Sequence, residues 1–435
     1  MRFLSLLVFA AAVFSLGAPQ TPLASARNVD PASPVIVVLR SGTSPDAVAS
    51  RNGVAAKQRY TYALNGFSAD ATVVAVSGLA LDADVLAVVT DASVALVPVT
   101  ADSASSTSSS NVPTGVNRID AEQATLGSGS VNVAVIDTGS GPHKDLVVAR
   151  RVNCLLPGCP AGGDDDNGHG SHVAGTIGGK VKGGARGVAP SVPITSVKVV
   201  DAAGNGSVSN IIAGLDVVTG WKQSLGGQWV ANMSLALGGK DVGTCDATPG
   251  KPQNDPLHAA VCNATRAGVV IVAASGNAAG SAFKTVPAAY DEVLTVAAVT
   301  DYDGKGGHLG VPPLVGDPPH PCDHGPDDTI LSESNSGKDI DLAAPGACIF
   351  SLYLNNAYRT MTGTSMAAAH VTGAVALKMA SGALNVSASS DPAAARNAAD
   401  AALGTQPESD PFCGFTNPNG TEPLIYVGQP LANCQ

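Results

Sequence analysis

The chain has 435 residues, with 24 Lys or Arg and 35 Asp or Glu, so its formal net charge is 24 − 35 = −11. This acidic balance excludes the basic surface that nucleic-acid binding needs, so we expect no nucleic-acid partner. Because 45% of the residues are hydrophobic and only 14% are charged, the composition also excludes a disordered chain.

The N-terminus is interpreted as a secretory signal peptide over residues 1–26. One Arg precedes an apolar run from Phe3 to Leu16, and Ala24-Ser25-Ala26 provides a small-residue cleavage site. The run is too short to cross a bilayer as a helix, although a short membrane anchor is the alternative. No later apolar stretch is long enough either, so we expect a secreted, extracellular protein without a membrane partner.

The eight cysteines fit an oxidising compartment. An even number after a signal peptide indicates a disulfide framework, and pairing of nearest neighbours along the chain is the simplest of many arrangements. A zinc site is the alternative, but the ligand spacing typical of zinc is absent from the sequence. The cysteines are Cys154, Cys159, Cys245, Cys262, Cys322, Cys348, Cys413 and Cys434.

Residues 27–100 predict a small α+β unit. Two helical patterns lie among strand patterns, in the order β-α-β-β-α-β, which is ferredoxin-like. The Ser-rich residues 101–111 have little to bury and are interpreted as a linker or processing site. Residues 112–435 then form the main domain. The clearest strand patterns of the small unit are 35–41, 85–91 and 93–99.

In the main domain, short and continuously apolar runs alternate with helical patterns. Such runs are typical of strands buried on both faces. Their alternation with helices predicts an α/β fold, a parallel sheet with helices on both faces. Ligands of such sheets bind beyond the carboxyl ends of the strands. The predicted strands are 131–137, 194–200, 229–235, 269–275 and 293–299, and the predicted helices are 207–223 and 256–268.

Four motifs place reactive side chains where they could meet. Asp137 ends a strand in AVIDTGSG, and Asn277 follows another in AASGN. His169 begins a small-residue helix in NGHGSHVAGT, and Ser365 begins the helix of GTSMAAAHVTG. Three of the motifs have an ordinary alternative: Asp137 and Ser365 as caps, and His169 with His172 as part of a metal site. The positive end of the helix dipole at Ser365 would stabilise an adjacent oxyanion.

Together, the four motifs resemble those of the subtilisin-like serine proteases (subtilases), most closely the proteinase K-like branch, in order and in context. The resemblance covers residues 131–380 and reaches back through VPTGVNRIDA at 112–121. It implies a parallel-sheet subtilisin-like fold. Residues 27–100, with YALNGFSA at their centre, resemble the inhibitory propeptide of that family.

The resemblance also implies a role for each motif. Ser365 is the nucleophile, His169 takes its proton and later gives it to the leaving amine, and Asp137 orients the imidazole. Asn277 donates to the oxyanion together with the Ser365 N–H; in subtilisin the loss of that amide costs about 10²–10³ in kcat. His172 is interpreted as a residue that packs the helix. No cofactor is implied for catalysis.

Substrate binding is implied on two segments. Gly204, Asn205 and Gly206 correspond to a Gly-rich edge strand with which an extended peptide pairs. Ser234, Leu235 and Ala236 correspond to the opposite edge and to one wall of the pocket before the scissile bond. No Asp or Glu stands on these walls, so we expect broad cleavage after apolar or aromatic residues. The family's NMSLGG reads NMSLALGG here, which would narrow the pocket.

A structural calcium ion is also implied. Its ligands would be the carbonyls of Pro287 and Ala289 with the carboxylate of Asp301, because oxygen ligands suit calcium. The alternative for Asp301 is a turn residue.

The sequence has five Asn-X-Ser/Thr sequons for glycosylation. Two of them are disfavoured, because Asn205 lies on the predicted substrate edge and Asn232 lies in a predicted buried strand. The favoured glycosylation sites are therefore Asn263, Asn385 and Asn419.

The leading hypothesis is a secreted, monomeric serine endopeptidase made as a zymogen. Its partners would be protein or peptide substrates and its own propeptide, which would assist folding, inhibit the enzyme and be removed by self-cleavage between about Pro98 and Val112. A non-catalytic secreted binding protein on the same scaffold is one alternative. A metal-dependent hydrolase that uses His169, His172 and the acidic run Asp164–Asp166 is another.

Overall fold

The computed structural model describes residues 32–96, 99–104, 112–241, 245, 255–315, 320–406 and 423–427. The predicted signal peptide, most of the Ser-rich segment, Cys413, Cys434 and Asn419 lie outside these residues. Within these ranges, no helix combines the length and the apolar sequence that crossing a membrane requires.

The N-terminal subdomain (residues 32–91) has the predicted element order β-α-β-β-α-β. Its antiparallel sheet has the strand order β2-β3-β1-β4. The Ser44 and Thr72 side chains cap the two helices by accepting backbone N–H groups. The elements are β1 (Ser33–Leu39), α1 (Pro45–Arg51), β2 (Arg59–Tyr60), β3 (Gly66–Ala71), α2 (Val73–Leu81) and β4 (Val85–Thr90).

The sheet of this subdomain is buried on both faces. Side chains alternate between the faces of a strand, and Val35, Val37 and Leu39 of β1 pack with α1 and α2 in the subdomain's own core. Ile36 and Val38 instead join a core cluster that the main domain largely supplies. The main domain therefore covers one face of the subdomain's sheet.

The remaining elements follow in chain order. They are β5 (Ser93–Ala95), β6 (Thr100–Ala104), α3 (Thr114–Arg118), β7 (Val131–Asp137), β8 (Val148–Asn153), α4 (His169–Gly178), β9 (Ile194–Lys198), β10 (Asn205–Ser207), α5 (Val208–Leu225), β11 (Gln228–Met233), β12 (Leu237–Gly238), α6 (Pro256–Arg266), β13 (Val269–Ala274), β14 (Thr285–Val286), β15 (Leu294–Val299), β16 (Leu314–Val315), β17 (His320–Pro321), β18 (Leu342–Pro345), β19 (Ile349–Leu352), β20 (Tyr358–Thr362), α7 (Thr364–Ala380), α8 (Ala394–Ala402), β21 (Gly404–Gln406) and β22 (Leu424–Tyr426). Two short 3₁₀ helices lie at Ala282–Lys284 and Leu354–Asn356.

Within the described residues, the main sheet has nine strands in the order β21-β22-β18-β15-β13-β11-β7-β9-β8. All of its pairs are parallel except β21 with β22. Helices α4 and α7 pack on one face, and α5 and α6 pack on the other. The predicted α/β fold with helices on both faces is confirmed.

The five predicted strands of the main domain are present as the neighbours β15, β13, β11, β7 and β9. Sequence periodicity misses β8, whose sequence VARRVN carries two Arg. This strand lies at the edge of the sheet, where charged side chains are common and a continuous apolar run is not needed. It also misses β18, which has only four residues.

Three disulfides lie within the described chain: Cys154–Cys159, Cys245–Cys262 and Cys322–Cys348. Each joins nearest neighbours along the sequence, as predicted. Because these six cysteines are bonded to one another, they do not supply the thiolates that a zinc site needs.

Candidate active site

Asp137 ends β7 at the carboxyl edge of the main sheet and is fully buried. One of its oxygens accepts the Thr138 N–H at 2.7 Å. His169 Nδ1 lies 2.8 Å from the same oxygen and 3.0 Å from the other. A buried carboxylate needs such partners, because desolvation strongly disfavours its charge.

His169 is the first residue of α4, and two glycines let this helix begin close to β7. Gly168 caps the helix in a left-handed conformation (φ 106°), and a Cβ there would overlap the Tyr353 ring. A Cβ on Gly170 would overlap the carbonyl oxygen of Gly139. Only glycine fits at both positions. Close packing therefore requires the two glycines that flank His169 in the NGHG sequence.

Asp165 holds the start of α4, a role that motif reasoning missed. Its carboxylate accepts the Thr138 hydroxyl at 2.8 Å, the Gly168 N–H at 2.9 Å and the Ser171 N–H at 2.8 Å. The Thr138 hydroxyl in turn accepts the Gly170 N–H at 2.9 Å. Asp165 therefore positions the helix that carries His169. Its only sequence signal is a carboxylate shortly before a helix start.

The environment of His169 favours its protonated form. Burial lowers the pKa of His169, but the charge and hydrogen bond of Asp137, with a contribution from Asp165, outweigh burial and raise the pKa above its ordinary value. The other ring nitrogen, Nε2, is buried and has no hydrogen-bond partner among the described residues. The ring is therefore equipped to accept a proton at Nε2.

Ser365 lies in the first turn of α7 and is fully buried. Its Oγ has no hydrogen-bond partner within the described part of the chain. Its carbonyl accepts the Ser234 hydroxyl at 3.1 Å. Nearly all of α7 is buried against the sheet and α4, so the helix fixes this serine rigidly.

Asn277 lies on the loop after β13, beside the start of α7. Its Oδ1 accepts the Thr364 N–H at 2.9 Å and the Thr364 hydroxyl at 2.8 Å. Its amide nitrogen lies toward Gly363, where an added Cβ would come within 2.7 Å of it. Thr364 thus fixes which end of the Asn277 amide can donate. The position of Thr364 directly before Ser365 is the only feature of the sequence that points to this role.

His172 has a structural role. Its Nε2 lies 3.0 Å from two backbone carbonyls, and burial lowers the pKa of His172 to about 3. Within the described ranges, neither His169 nor His172 belongs to a group of side chains close enough to share a metal ion. Asp164 and Asp166 are engaged in ion pairs with basic side chains. These contacts argue against the metal-dependent hydrolase.

The predicted substrate edge is occupied by the chain's own N-terminal segment. Strand β5 pairs antiparallel with β10, and the Leu96 N–H donates to the Gly204 carbonyl at 2.8 Å. Asn205 and Gly206 belong to the paired strand. This edge therefore accepts an extended chain by strand addition.

A cavity of about 600 Å³ lies beside this added strand. Of the predicted wall residues, Ala236 lines it. Ser234 and Leu235 lie behind that wall instead, because the Ser234 hydroxyl bonds the Ser365 carbonyl and Leu235 packs in the core. Lys284 also lines the cavity, and sequence reasoning did not include this cation.

The surroundings of Asp301 differ from those predicted for a calcium site. Its carboxylate lies with those of Asp303 and Asp327, with ligand atoms within 4.8 Å of one another. The predicted carbonyl of Pro287 accepts the Tyr290 N–H, which leaves it a second lone pair. Asp301 Oδ2 is buried and lacks a hydrogen-bond partner among the described residues. The carboxylates suit an oxygen-liganded cation, and the part of Pro287 and Ala289 stays a prediction.

Comparison with known proteins decides the family. A model of the Subtilase family matches residues 128–415, which is more than half of the chain. The chain belongs to the subtilase family. It is a serine endopeptidase with the subtilisin-like fold.

Individual relatives agree with this assignment. Subtilisin Savinase of Lederbergia lenta is 37% identical over 273 residues, which cover 61% of this chain and 84% of the relative. An alkaline protease of Shouchella clausii is 37% identical over 277 residues, which cover 62% of this chain and 60% of the relative. The crystal structure of a cold adapted subtilisin-like serine proteinase superposes with a TM-score of 0.54 at 30% identity, over 74% of this chain and all of that one.

Proposed function

We propose that this subtilase cleaves peptide bonds with Ser365, His169 and Asp137 as its catalytic triad. The observation that carries the proposal is the 2.8 Å contact between His169 Nδ1 and buried Asp137, beside helix α7, whose first turn holds Ser365. The three side chains come from the end of β7, the start of α4 and the start of α7, three elements that pack together.

In the proposed mechanism, Ser365 Oγ attacks the carbonyl carbon of the scissile bond while His169 Nε2 takes its proton. His169 then gives that proton to the leaving amine, and an acyl-enzyme ester remains. A water molecule, deprotonated by the same imidazole, hydrolyses the ester and frees Ser365. Asp137 stays ionised throughout and stabilises the imidazolium.

The oxyanion of the tetrahedral intermediate would be stabilised by two donors, the Asn277 amide and the Ser365 N–H. Thr364 supports this role because its two hydrogen bonds hold Asn277 Oδ1 and so orient the amide nitrogen. Donors fixed before the reaction need no reorganisation when charge develops. The positive end of the α7 dipole favours the same charge.

The first prediction concerns Ser365. Ser365→Ala should leave the precursor uncut in purified form and should abolish labelling by a fluorophosphonate probe, because both need the Oγ. Gel mobility and probe fluorescence measure the two effects. Normal maturation of the variant would refute self-processing, whereas an unlabelled mature wild type would favour the non-catalytic binding protein.

The second prediction concerns pH. Only the neutral imidazole of His169 accepts a proton, so kcat/KM should rise with pH through the pKa of His169. Because that pKa is raised, the midpoint should lie above the ordinary value of 6.5. Asp137→Asn should lower the midpoint and reduce kcat by about 10⁴. An unchanged midpoint in this variant, measured on a peptide substrate across the acid limb, would contradict the proposed pairing.

We also propose that residues 27–100 form an inhibitory propeptide and that the enzyme is a zymogen. The Asp216 carboxylate on α5 accepts three consecutive N–H groups of the N-terminal subdomain, those of Thr61, Tyr62 and Ala63, at 2.6–2.9 Å. In return, Asp91 of the subdomain accepts the Ser209 N–H at the start of α5 at 2.9 Å. These contacts support a docked inhibitor rather than an independent domain.

The path of the chain supports self-cleavage near Ser365. Leu96 is bonded to the substrate edge, and Val99 lies beside Gly363, two residues before Ser365. The proposed first cut therefore falls between Leu96 and Thr100, an interval that begins two residues before the expected range of Pro98 to Val112 and overlaps its N-terminal end. N-terminal sequencing of the first product tests this position.

The third prediction tests the inhibitor. Asp216→Asn should weaken binding of the cleaved subdomain roughly tenfold, because charged hydrogen-bond acceptors are stronger than neutral ones. The lag between the first cut on a gel and the appearance of activity should shorten accordingly. Asp391→Asn, which changes an exposed carboxylate that bonds only its own loop in the described contacts, is the matched control. Equal lags in both variants would contradict the inhibitory role.

A structural calcium ion is proposed at Asp301, Asp303 and Asp327. It is supported by the three neighbouring carboxylates and by the buried Oδ2 of Asp301, which has no hydrogen-bond partner among the described residues, so the site suits a positive charge. A bound ion would supply that charge and would stabilise the fold, with no part in the chemical step.

The fourth prediction tests this ion. Chelation should lower the Tm of the Ser365→Ala precursor, a background that avoids self-digestion, by about 3 °C if calcium is near a hundred times its Kd. Asp301→Asn should lower the Tm in calcium and remove the effect of the chelator. If chelation lowers the Tm equally in both proteins, calcium binds elsewhere.

Secretion is proposed from the N-terminal sequence and is supported by the disulfides. Asn385 is exposed and suits glycosylation. The Asn263 amide donates to the Ala63 carbonyl at 2.8 Å, so a sugar there would oppose docking of the subdomain. We also propose that the enzyme prefers apolar or aromatic residues before the scissile bond and that it belongs to the proteinase K-like branch. Peptide-library cleavage by the mature enzyme tests the preference.

A further inference from the structure

The N-terminal segment forms a second paired strand beyond Ser365, on the side opposite β5. β6 (Thr100–Ala104) pairs antiparallel with β20, which directly precedes α7, and Thr100 lies opposite Thr362. β5 and Leu96 pair on the other side of the site. Residues 100–104 therefore follow the path that the leaving-group side of a peptide substrate would take.

Asp102 is the one charged residue between positions 92 and 104, and its carboxylate is nearly enclosed, with 6% of the side chain exposed. One oxygen accepts from His324 Nε2 at 3.0 Å, and the other accepts the Thr362 hydroxyl at 2.6 Å. Both carboxylate oxygens are thus bonded to the main domain, which offsets the cost of burying the charge.

The main domain holds His324 and Thr362 in place without the help of Asp102. The His324 N–H donates to the Tyr302 hydroxyl at 2.9 Å. The neighbouring Cys322 is bonded to Cys348, whose N–H donates to the Thr362 hydroxyl at 2.8 Å. The disulfide therefore ties the loop of His324 to the strand of Thr362.

The charge around His324 also matches an acidic ligand. The Asp102 hydrogen bond opposes burial and raises the pKa of His324. Glu333 lies 3.8 Å from Nδ1 on the other side of the ring and is half exposed. It adds to the same effect, and it would remain when Asp102 leaves.

We infer that His324 and Thr362 form a specificity subsite for an acidic side chain on the leaving-group side of substrates. Asp102 occupies this subsite in the precursor. The inference rests on the proposed peptidase function and deepens it: the enzyme selects protein segments that carry an Asp or a Glu a few residues after the scissile bond.

The test uses the mature enzyme and internally quenched peptides of the chain's own sequence 92–107, with Asp, Asn or Lys at the position of Asp102. Mass spectrometry locates the cut. We expect kcat/KM to be roughly tenfold higher for the Asp peptide than for the Asn peptide, the size of a pair of charge-assisted hydrogen bonds, and lowest for Lys. Moving Asp one residue either way should remove the gain.

Variants assign the effect to His324. His324→Gln should bring the Asp and Asn peptides within about twofold of each other. His308→Gln, which changes a histidine whose ring bonds the Asp327 carbonyl and not Asp102, should keep the preference. Mature enzyme from Asp102→Ala is assayed in parallel, so that its own new N-terminus does not compete for the subsite.

The outcomes are separable. Equal cleavage of all three peptides by wild type and Asp102→Ala would overturn the subsite, even if His324→Gln slowed self-processing, since His324 would then only hold the precursor. A preference for Lys, or a preference for Asp that survives His324→Gln, would also overturn it. Cleavage of no peptide would refute the peptidase function itself.

Discussion

The hydrogen bond between buried Asp137 and His169 is the interaction on which the active site depends. A fully enclosed carboxylate is stable only with partners, and here they are one backbone N–H and one imidazole nitrogen. Because Nδ1 is committed to Asp137, Nε2 is the nitrogen left for chemistry. The close contacts of Gly168 and Gly170 and the cap by Asp165 then follow as the means of holding that ring orientation.

The serine side of the site depends on packing more than on charge. α7 is buried along almost its whole length, so Ser365 has little freedom once the sheet and α4 have formed. The loop of Asn277 is held in a comparable way by Asn335, which donates to the Ser275 carbonyl at 2.8 Å and accepts the Gly280 N–H at 2.9 Å. Neither half of the site is adjustable without disturbing the core, which suits electrostatic preorganisation.

Sequence reasoning predicted the parts of this protein that local patterns encode. Continuously apolar strands and the short motifs around Asp137 and Ser365 can be recognised from neighbouring residues alone, because burial and backbone geometry determine those residues directly. The edge strand β8 escaped because half of its environment is solvent. The capping role of Asp165 was missed because a carboxylate's role depends on partners distant in sequence, such as Thr138. The Asp102–His324 contact joins residues 222 positions apart, and no periodicity reports such a pair.

The N-terminal segment pairs with the main domain on both sides of Ser365. A cut between Leu96 and Thr100 would therefore have different consequences for the two parts of that segment. Before the cut, the two pairings are joined by one chain, and each raises the effective concentration of the other. Afterwards, the N-terminal side keeps the whole subdomain interface, including Asp216. The other side keeps only a short strand and the contacts of Asp102. In the proposed zymogen, the leaving-group side would therefore open first, while the subdomain still covered the substrate edge, and a side-chain anchor such as His324 would matter most where the backbone pairing is shortest.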